Sequence, residues 1–145
     1  MNVVPLTGRS LDDIARAMRH GRPWLPETTD YWLWRECFGD TSFIALDGEN
    51  PIAAILACIP QSRPHELYID QVAVDPQWRG RGVTQALFHA TEAEGRKRGC
   101  RHVWLSTDPA NPARRAWPRV GFASQGVKKD FKGPGKDREI FAKAL

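Results

Sequence analysis

The sequence has no long hydrophobic run and only three cysteines. No stretch approaches the roughly 18 apolar residues that a membrane-spanning helix needs, and the N-terminal residues do not resemble a signal peptide. These absences predict a cytoplasmic protein without a membrane partner. Cys37, Cys58 and Cys100 lack metal-ligand spacing, and each lies in or beside an apolar run. We expect reduced thiols packed as small hydrophobes, and no metal site.

Basic residues are scarce in the first half of the chain and abundant in the second. Up to residue 78 the chain has 6 Lys/Arg against 11 Asp/Glu, a net charge of −5, and the remainder has 15 against 6, a net charge of +9. The second half is therefore expected to bind an anion. A basic nucleic-acid-associated domain is the less favoured explanation, because the basic residues are dispersed and no nucleic-acid-binding motif accompanies them.

The 145 residues predict one domain over residues 1–145. Helices are expected after the N-cap Ser10 and over residues 30–38, 83–98 and 112–119. The first helix should bury the face formed by Leu11, Ile14, Ala15 and Met18. Strands are expected over residues 2–6, 42–46, 52–59, 67–74, 102–107, 123–130 and 138–144. This order predicts an α/β (α+β) fold, a mixed sheet with helices on its faces.

The most informative segment is the glycine loop Gln-Trp-Arg-Gly-Arg-Gly-Val, residues 77–83, which lies between a strand and a helix. Free N–H groups at a helix N-terminus attract anions, and glycines let a ligand approach the main chain. The loop lacks the P-loop pattern, and it fits the dinucleotide-binding pattern poorly because its third small position is a glutamine. The segment therefore predicts a phosphate site, to which Arg79 and Arg81 add positive charge.

Two motifs together resemble the signatures of the GCN5-related N-acetyltransferase (GNAT) family. The first is Gln-x-x-Gly-x-Gly after a strand, at residues 77–82, and the second is residues 111–122, an asparagine-led helix that runs into Gly-Phe. The resemblance is strongest over residues 67–122. It implies a mixed, mostly antiparallel central sheet with a parallel splayed strand pair and helices on both faces. It also implies acetyl-coenzyme A as cosubstrate, and a homodimer, since relatives are often dimers.

The resemblance also implies which residues contact the cofactor. The strand backbone should pair with the pantetheine arm, the glycine loop should hold the pyrophosphate, and the asparagine should contact the pantetheine again. The implied contacts are Val72, Ala73, Val74, Arg79, Gly80, Arg81, Gly82, Val83, Thr84, Asn111, Arg114 and Trp117. Some have explanations without a ligand, because Gly82 suits a turn, Thr84 a helix start, and Asn111 an N-cap before Pro112.

Acetyl transfer to an amine needs a neutral amine, a stabilised carbonyl oxygen and a leaving thiolate. An alkylammonium has a pKa near ~10.4, so a carboxylate or a water chain must accept its proton. Asp70 is the first candidate base, because its position is similar to that of a glutamate base proposed for polyamine acetyltransferases of the family, and Glu66 is the second. A salt bridge or a substrate-binding role explains Asp70 equally well. A backbone N–H near Ala73 should meet the oxyanion.

Trp117 occupies the position at which many members of the family have a tyrosine that protonates the departing sulfur. An indole N–H donates a hydrogen bond but delivers no proton at neutral pH. Pro118 lacks a backbone N–H and predicts a kinked or short helix. Tyr68 is the alternative acid, although a packed strand tyrosine is the commoner explanation.

Aromatic and acidic side chains between residues 24 and 34 lie in the part that lines the acceptor side in similar proteins. Aromatic walls with carboxylates suit a cationic amine, at roughly 0.5–2 kcal/mol per cation–aromatic pair, although about half of the tryptophans should be core. Trp24, Tyr31 and Asp70 are the expected substrate contacts. The other side chains of this group are Trp32, Trp34, Glu27 and Asp30.

The sequence thus predicts an N-acetyltransferase. The acceptor is a primary amine of a small molecule, an amino acid or a peptide, which attacks acetyl-coenzyme A directly in a ternary complex. A module that binds coenzyme A or acyl-coenzyme A with weak or no catalysis is the alternative.

Overall fold

In the computed structural model, which describes residues 1–145, seven strands form one sheet in the order β1-β2-β3-β4-β5-β7-β6. Every neighbouring pair is antiparallel except β4 and β5, which are parallel. This topology confirms the predicted mixed sheet with one parallel pair. The strands are β1 (Asn2–Pro5), β2 (Phe43–Asp47), β3 (Asn50–Cys58), β4 (Glu66–Val74), β5 (His102–Thr107), β6 (Ala123–Lys128) and β7 (Arg138–Ala144).

Three α-helices accompany the sheet, namely α1 (Leu11–Met18), α2 (Tyr31–Phe38) and α3 (Val83–Lys97). The helix expected over residues 112–119 is instead two 3-10 turns, Pro112–Arg115 and Trp117–Val120. The second turn contains Pro118, which has no N–H to continue a helix. Two further 3-10 turns lie at Arg19–Gly21 and Pro76–Trp78. No helix has both the length and the apolar character needed to cross a membrane.

Hydrophobic clusters pack on both faces of the sheet. The larger has 17 buried residues and includes Leu87 and Phe88 of α3, and the smaller has 9 and includes Ile14 and Met18 of α1. Strand β3 contributes to both clusters, which explains why its sequence is a continuous apolar run rather than an alternating one. Helices therefore cover both faces, as expected.

The residues that α1 and α2 bury differ in part from the prediction. In α1 the buried residues are Ile14, Ala17 and Met18, at i, i+3 and i+4 of one helical face, while Leu11 is 42% exposed. Cys37 is exposed on α2, so it is not a packed thiol, whereas Cys100 is buried and Cys58 is partly buried. The inward residue of that turn is Phe38, which packs against Trp34.

Helix α3 buries two polar side chains that hold neighbouring elements. Thr91 donates a hydrogen bond to the carbonyl of Thr41, and Glu92 lies 2.7 Å from Lys143 Nζ on β7. The same ammonium donates to the carbonyl of Val120 at 2.9 Å. Lys143 thus joins α3, β7 and the 3-10 turn that ends the second motif.

We expect Lys143→Met to lower the free energy of unfolding by about 3–5 kcal/mol, because it leaves the Glu92 carboxylate buried without its cation. Urea unfolding measures the change. The double variant Lys143→Met/Glu92→Leu should recover most of the loss, since it removes both charges. A double variant as unstable as Lys143→Met would contradict this explanation.

Candidate active site

A cleft opens where β4 and β5 separate. Their parallel pairing ends at Ile69 and Leu105, although β4 continues to Val74 and β5 to Thr107. We call the resulting cavity of about 630 Å3 the strand cleft. The ends of the two strands, which no longer pair with each other, form its walls. The splayed parallel pair predicted from the sequence is therefore the feature that creates this cavity.

A β-bulge places Asp70 at the mouth of this cleft. Leu56 of β3 lies opposite Gln71, but the next residue of β3, Ala57, lies opposite Ile69, so Asp70 has no partner across the ladder. The extra residue turns two consecutive side chains to the same face, where Gln71 Nε2 donates to Asp70 Oδ2 at 3.1 Å. The bulge thus explains why the carboxylate points out of the ladder.

The register of β4 shows which backbone groups face the strand cleft. Asp75 N–H donates to the carbonyl of Ile52 on β3 at 2.8 Å, and antiparallel ladders alternate, so Ala73 also pairs with β3. The N–H groups of Val72 and Val74 therefore face the cleft, where no strand pairs with them. The oxyanion donor expected near Ala73 is thus one of its two neighbours, because the N–H of Ala73 itself is used within the sheet.

The glycine loop presents six consecutive N–H groups, those of residues 80–85, that donate to no backbone carbonyl and to no side chain. Helix α3 begins at Val83 after the N-cap Gly82, which has φ +82°, and Gly80 has φ +76°. These left-handed conformations point successive N–H groups outward, as in anion-binding backbone nests. Together with the positive end of the helix dipole, the loop is built to hold an anion.

The strand cleft collects eight of the twelve expected cofactor residues. Four do not line it: Arg81 lies over the Trp78 ring at 4.7 Å, Val83 is core, Gly82 caps α3, and Arg114 forms an ion pair with Glu139. The eight that line it are Val72, Ala73, Val74, Arg79, Gly80, Thr84, Asn111 and Trp117.

Two cleft residues also have structural partners. Arg79 Nε donates to the carbonyl of Val74 at 3.3 Å, which fixes the start of the loop against the strand. Asn111 Oδ1 accepts from Ala113 N–H at 2.9 Å, so the N-cap interpretation is correct, and its amide N–H groups stay available to a ligand. The indole N–H of Trp117 is buried without a hydrogen-bond partner.

A second cavity, of about 790 Å3, adjoins the strand cleft, and we call it the side pocket. Both cavities are lined by Asp70 and Gln71 of the bulge, by Trp24, and by Asp108 and Arg138. The loop between β6 and β7 forms the far wall of the side pocket. Asp70 thus stands where two ligands, one in each cavity, would meet.

Of the three predicted catalytic residues, only Asp70 lines the cavities. Tyr68 donates to Asp70 Oδ1 at 3.0 Å and packs on Trp104, and it lines neither cavity. Burial and the Asp70 charge raise the pKa of Tyr68 above its ordinary value, so its proton is held rather than released, which argues against the predicted acid role. Glu66 lies at the opposite end of β4, 3.5 Å from Arg63, and lines neither cavity.

Of the expected acceptor residues, only Trp24 and Asp70 line a cavity. Tyr31 packs against the smaller hydrophobic cluster, where burial raises the pKa of its hydroxyl, so the structure does not place it at the site. Trp34 packs in the same cluster and Trp32 is 52% exposed. The residues that form the opposite wall, Lys132, Lys136 and Arg138, were missed, because only the fold brings the β6–β7 loop to Asp70. Their only signal in the sequence is that basic residues lie in and beside the segment between the last two predicted strands.

No group of three or more His, Cys, Asp or Glu side chains is close enough together to hold a metal ion. The strand cleft instead gathers arginines that were not predicted. Arg22 and Arg119 line it in addition to Arg79. Their positive charge suits the anion that the glycine loop is built to hold.

A family model described as the acetyltransferase (GNAT) family matches residues 11–122, which is 112 of the 145 residues. Among curated proteins, streptothricin acetyltransferase from Streptomyces lavendulae is 31% identical over 87 residues, covering 59% of this chain and 46% of that protein. L-2,4-diaminobutyric acid acetyltransferase from Shouchella clausii is 31% identical over 86 residues, covering 59% and 48%. The chain therefore spans about half the length of these curated relatives.

Solved structures show the same fold over nearly the whole chain. A GNAT-family protein from Desulfovibrio desulfuricans superposes with a TM-score of 0.82 at 20% identity, covering 99% of each chain. Diaminobutyrate acetyltransferase from Paenibacillus lautus, solved with L-2,4-diaminobutyric acid and coenzyme A, gives 0.77 at 22% identity, covering 97% of this chain and 93% of that one.

Proposed function

Because this chain belongs to the acetyltransferase (GNAT) family, we propose that it transfers the acetyl group of acetyl-coenzyme A to a primary amine. The observation that carries the proposal is the junction of two cavities at Asp70. One cavity has free strand N–H groups and a phosphate-binding loop, and the other has a carboxylate at its entrance. The curated relatives are named as acetyltransferases of streptothricin and of L-2,4-diaminobutyric acid, and the second of these compounds carries two amino groups.

The proposed cofactor position follows from the backbone of the strand cleft. The diphosphate binds the free N–H groups of residues 80–85 and the nearby Arg79. The pantetheine arm runs along the open edge of β4, where it takes the place of a neighbouring strand. The thioester carbonyl then accepts a hydrogen bond from Val72 or Val74 N–H, which stabilises the oxyanion as the amine attacks.

We propose that Asp70 accepts the proton of the attacking ammonium. Its two oxygens already accept from Tyr68 and Gln71, and each oxygen keeps a further lone pair for the substrate. These hydrogen bonds fix the orientation of the carboxylate, which a general base needs. The neutral amine attacks the thioester carbon, the carbon–sulfur bond breaks, and coenzyme A leaves as a thiolate. The thiolate then takes up the second proton from the new amide nitrogen, so the products are the acetylated amine and the thiol of coenzyme A.

Direct attack is favoured over an acetyl-cysteine intermediate. Cys58, on the strand next to Asp70, is the only cysteine near the carboxylate, and burial together with the Asp70 charge raises its pKa to about 11. A thiol with this pKa stays protonated at neutral pH and is a poor nucleophile. Cys58 also lines neither cavity.

We expect Trp117→Phe to change kcat by less than about threefold, because the indole supplies no proton and the thiolate leaves unaided. The KM for acetyl-coenzyme A should rise, since the substitution shortens a side chain of the cleft wall while the packing on Phe88 is kept. Steady-state kinetics with saturating amine separate the two parameters. A large loss of kcat at constant KM would show that Trp117 acts in the chemical step.

The decisive experiment measures acetyl-coenzyme A binding by calorimetry and then thiol release with a panel of amines, amino acids and peptides. Binding with turnover supports the proposal. Tight binding without turnover across the panel supports a coenzyme A-binding module. The sequence feature that favours this alternative is tryptophan, in place of tyrosine, at position 117. Absence of binding, combined with salt-sensitive binding of nucleic acid, would favour the nucleic-acid-associated alternative.

Three further predictions concern the number of domains, the location in the cell and the oligomeric state. We propose one functional domain over residues 1–145, because strands from Asn2 to Ala144 share a single sheet. A cytoplasmic location is supported by three cysteines that form no disulfide. A homodimer is predicted from the resemblance alone, and light scattering after gel filtration tests it.

A further inference from the structure

The β6–β7 loop that walls the side pocket is held in one conformation by its own side chains. Asp137 Oδ1 accepts from Asp130 N–H at 2.8 Å, and Asp130 Oδ1 accepts from Gly135 N–H at the same distance. A backbone bond of 3.1 Å joins Lys132 N–H to the carbonyl of Lys136. The cations on this loop are therefore presented by a preorganised turn.

None of the three cations of this wall has a carboxylate partner. Lys132, Lys136 and Arg138 are in none of the ion pairs within 4.0 Å, whereas the neighbouring Arg114 and Lys143 pair with Glu139 and Glu92. Arg138 uses Nε and Nη2 on Ser106, at 3.1 Å and 2.8 Å, which leaves Nη1 free.

Lys132 and Arg138 also lie close enough for their charges to affect each other. Loss of water around the ammonium lowers the pKa of Lys132 below its ordinary value, and the positive charge of Arg138 lowers it further. The Asp70 carboxylate acts on the Lys132 charge in the opposite direction, but more weakly. An anion bound between Lys132 and Arg138 would relieve the repulsion that remains.

We infer that the acceptor is an amine that also carries a carboxylate, with its ammonium at Asp70 and its carboxylate at Lys132 and Arg138. The side pocket has three acidic residues, Asp70, Asp108 and Asp137, and three basic ones, the third of which is Lys136. This balance suits a zwitterion, which a free amino acid is. This assignment rests on the proposed function.

A plain polyamine fits the same pocket worse. Its second ammonium would face Lys132 and Arg138, and like charges at close range disfavour binding. A peptide N-terminus has a neutral amide where the free amino acid has its carboxylate, so it forgoes the charged contacts. The pocket therefore discriminates by charge at the end of the acceptor that is remote from the reacting amine.

Matched acceptors that differ in one group test the inference. The pairs are ornithine against putrescine, lysine against cadaverine, and lysine against lysine amide. We measure thiol release with acetyl-coenzyme A, and separately the calorimetric affinity of each compound for the protein saturated with coenzyme A, which needs no turnover. The carboxylate should improve both kcat/KM and affinity by about tenfold or more, as expected for hydrogen bonds to a charged group.

Lys132→Gln should remove most of this preference, because it lowers both kcat/KM and affinity for the acceptors that carry a carboxylate. Lys129→Gln is the matched control, because Lys129 is exposed on the same hairpin and lines neither cavity. It should keep the preference for the carboxylate.

Different experimental results would contradict the inference and the proposed function. Diamines that bind and react as well as the amino acids overturn the inference, while the acetyltransferase activity stands. Carboxylate-dependent binding without thiol release for any amine supports the inference and contradicts the activity. A preference that persists in Lys132→Gln also overturns the assignment of the carboxylate site.

Discussion

Gly82→Val is expected to weaken acetyl-coenzyme A binding by about 100-fold or more, which corresponds to about 2.7 kcal/mol. Gly82 has φ +82°, a conformation in which a β-branched side chain is strained, and relief of that strain turns the loop N–H groups away from the ligand. The new methyl groups would also stand where the diphosphate approaches the main chain. Calorimetry with acetyl-coenzyme A measures the loss.

Gly48→Val provides a control with the same kind of backbone strain at a distance from the site. Gly48 has φ +59° in the turn between β2 and β3, and a Cβ atom there meets nothing within 4 Å. At Gly82 a Cβ atom meets only Gln85 Oε1, at 3.9 Å, so both variants should fold. Urea midpoints should fall similarly for the two variants, but only Gly82→Val should lose binding. Equal affinities of the two variants for acetyl-coenzyme A would show that the glycine loop does not bind the cofactor.

Local sequence patterns predicted most of the residues that gather in the strand cleft, because one wall of that cleft is built from nearly consecutive residues. The end of β4, the glycine turn and the start of α3 lie within residues 72–84, so the chain order itself places them together. Asn111 and Trp117 of the second motif line the same cleft, whereas Phe122 of its Gly-Phe pair is buried in the larger cluster. The interruption at Pro118 was also foreseeable, since it follows from a missing N–H.

The lining of the side pocket was predicted poorly, because it depends on contacts between residues that are distant in the sequence. The β6–β7 loop reaches Asp70 only because β7 inserts between β5 and β6 in the sheet. Tyr31 was assigned to the site by its position in the chain, but its side chain packs inward on the smaller cluster. The bulge at Asp70 is a mismatch of register between two strands, which neither strand shows alone.

That bulge gives Asp70 its exposure to both cavities, and Asp70→Asn should therefore have a large effect on the rate. At about pH 7 we expect kcat/KM to fall by about 10²–10⁴, the range typical of a lost general base. The fold should persist, because asparagine still accepts from Tyr68, and a flip of the Gln71 amide would let the new NH2 donate to Gln71 Oε1. The acetyl acceptor assay, run from about pH 7 to about pH 9, measures the loss.

The pH dependence of Asp70→Asn separates a base from a binding carboxylate. An alkylammonium has a pKa of ~10.4, and below this pH the fraction of neutral amine rises about tenfold per pH unit. A variant that lacks the base therefore regains activity as the pH rises. A deficit that stays constant across the range would instead indicate that Asp70 binds the ammonium without accepting its proton. Glu66→Gln is the matched control on the same strand, four residues away and outside both cavities, and it should leave the rate unchanged at every pH. Because the side-chain amides preserve the shape of both carboxyl groups, a loss confined to position 70 must come from its charge at the junction of the two cavities.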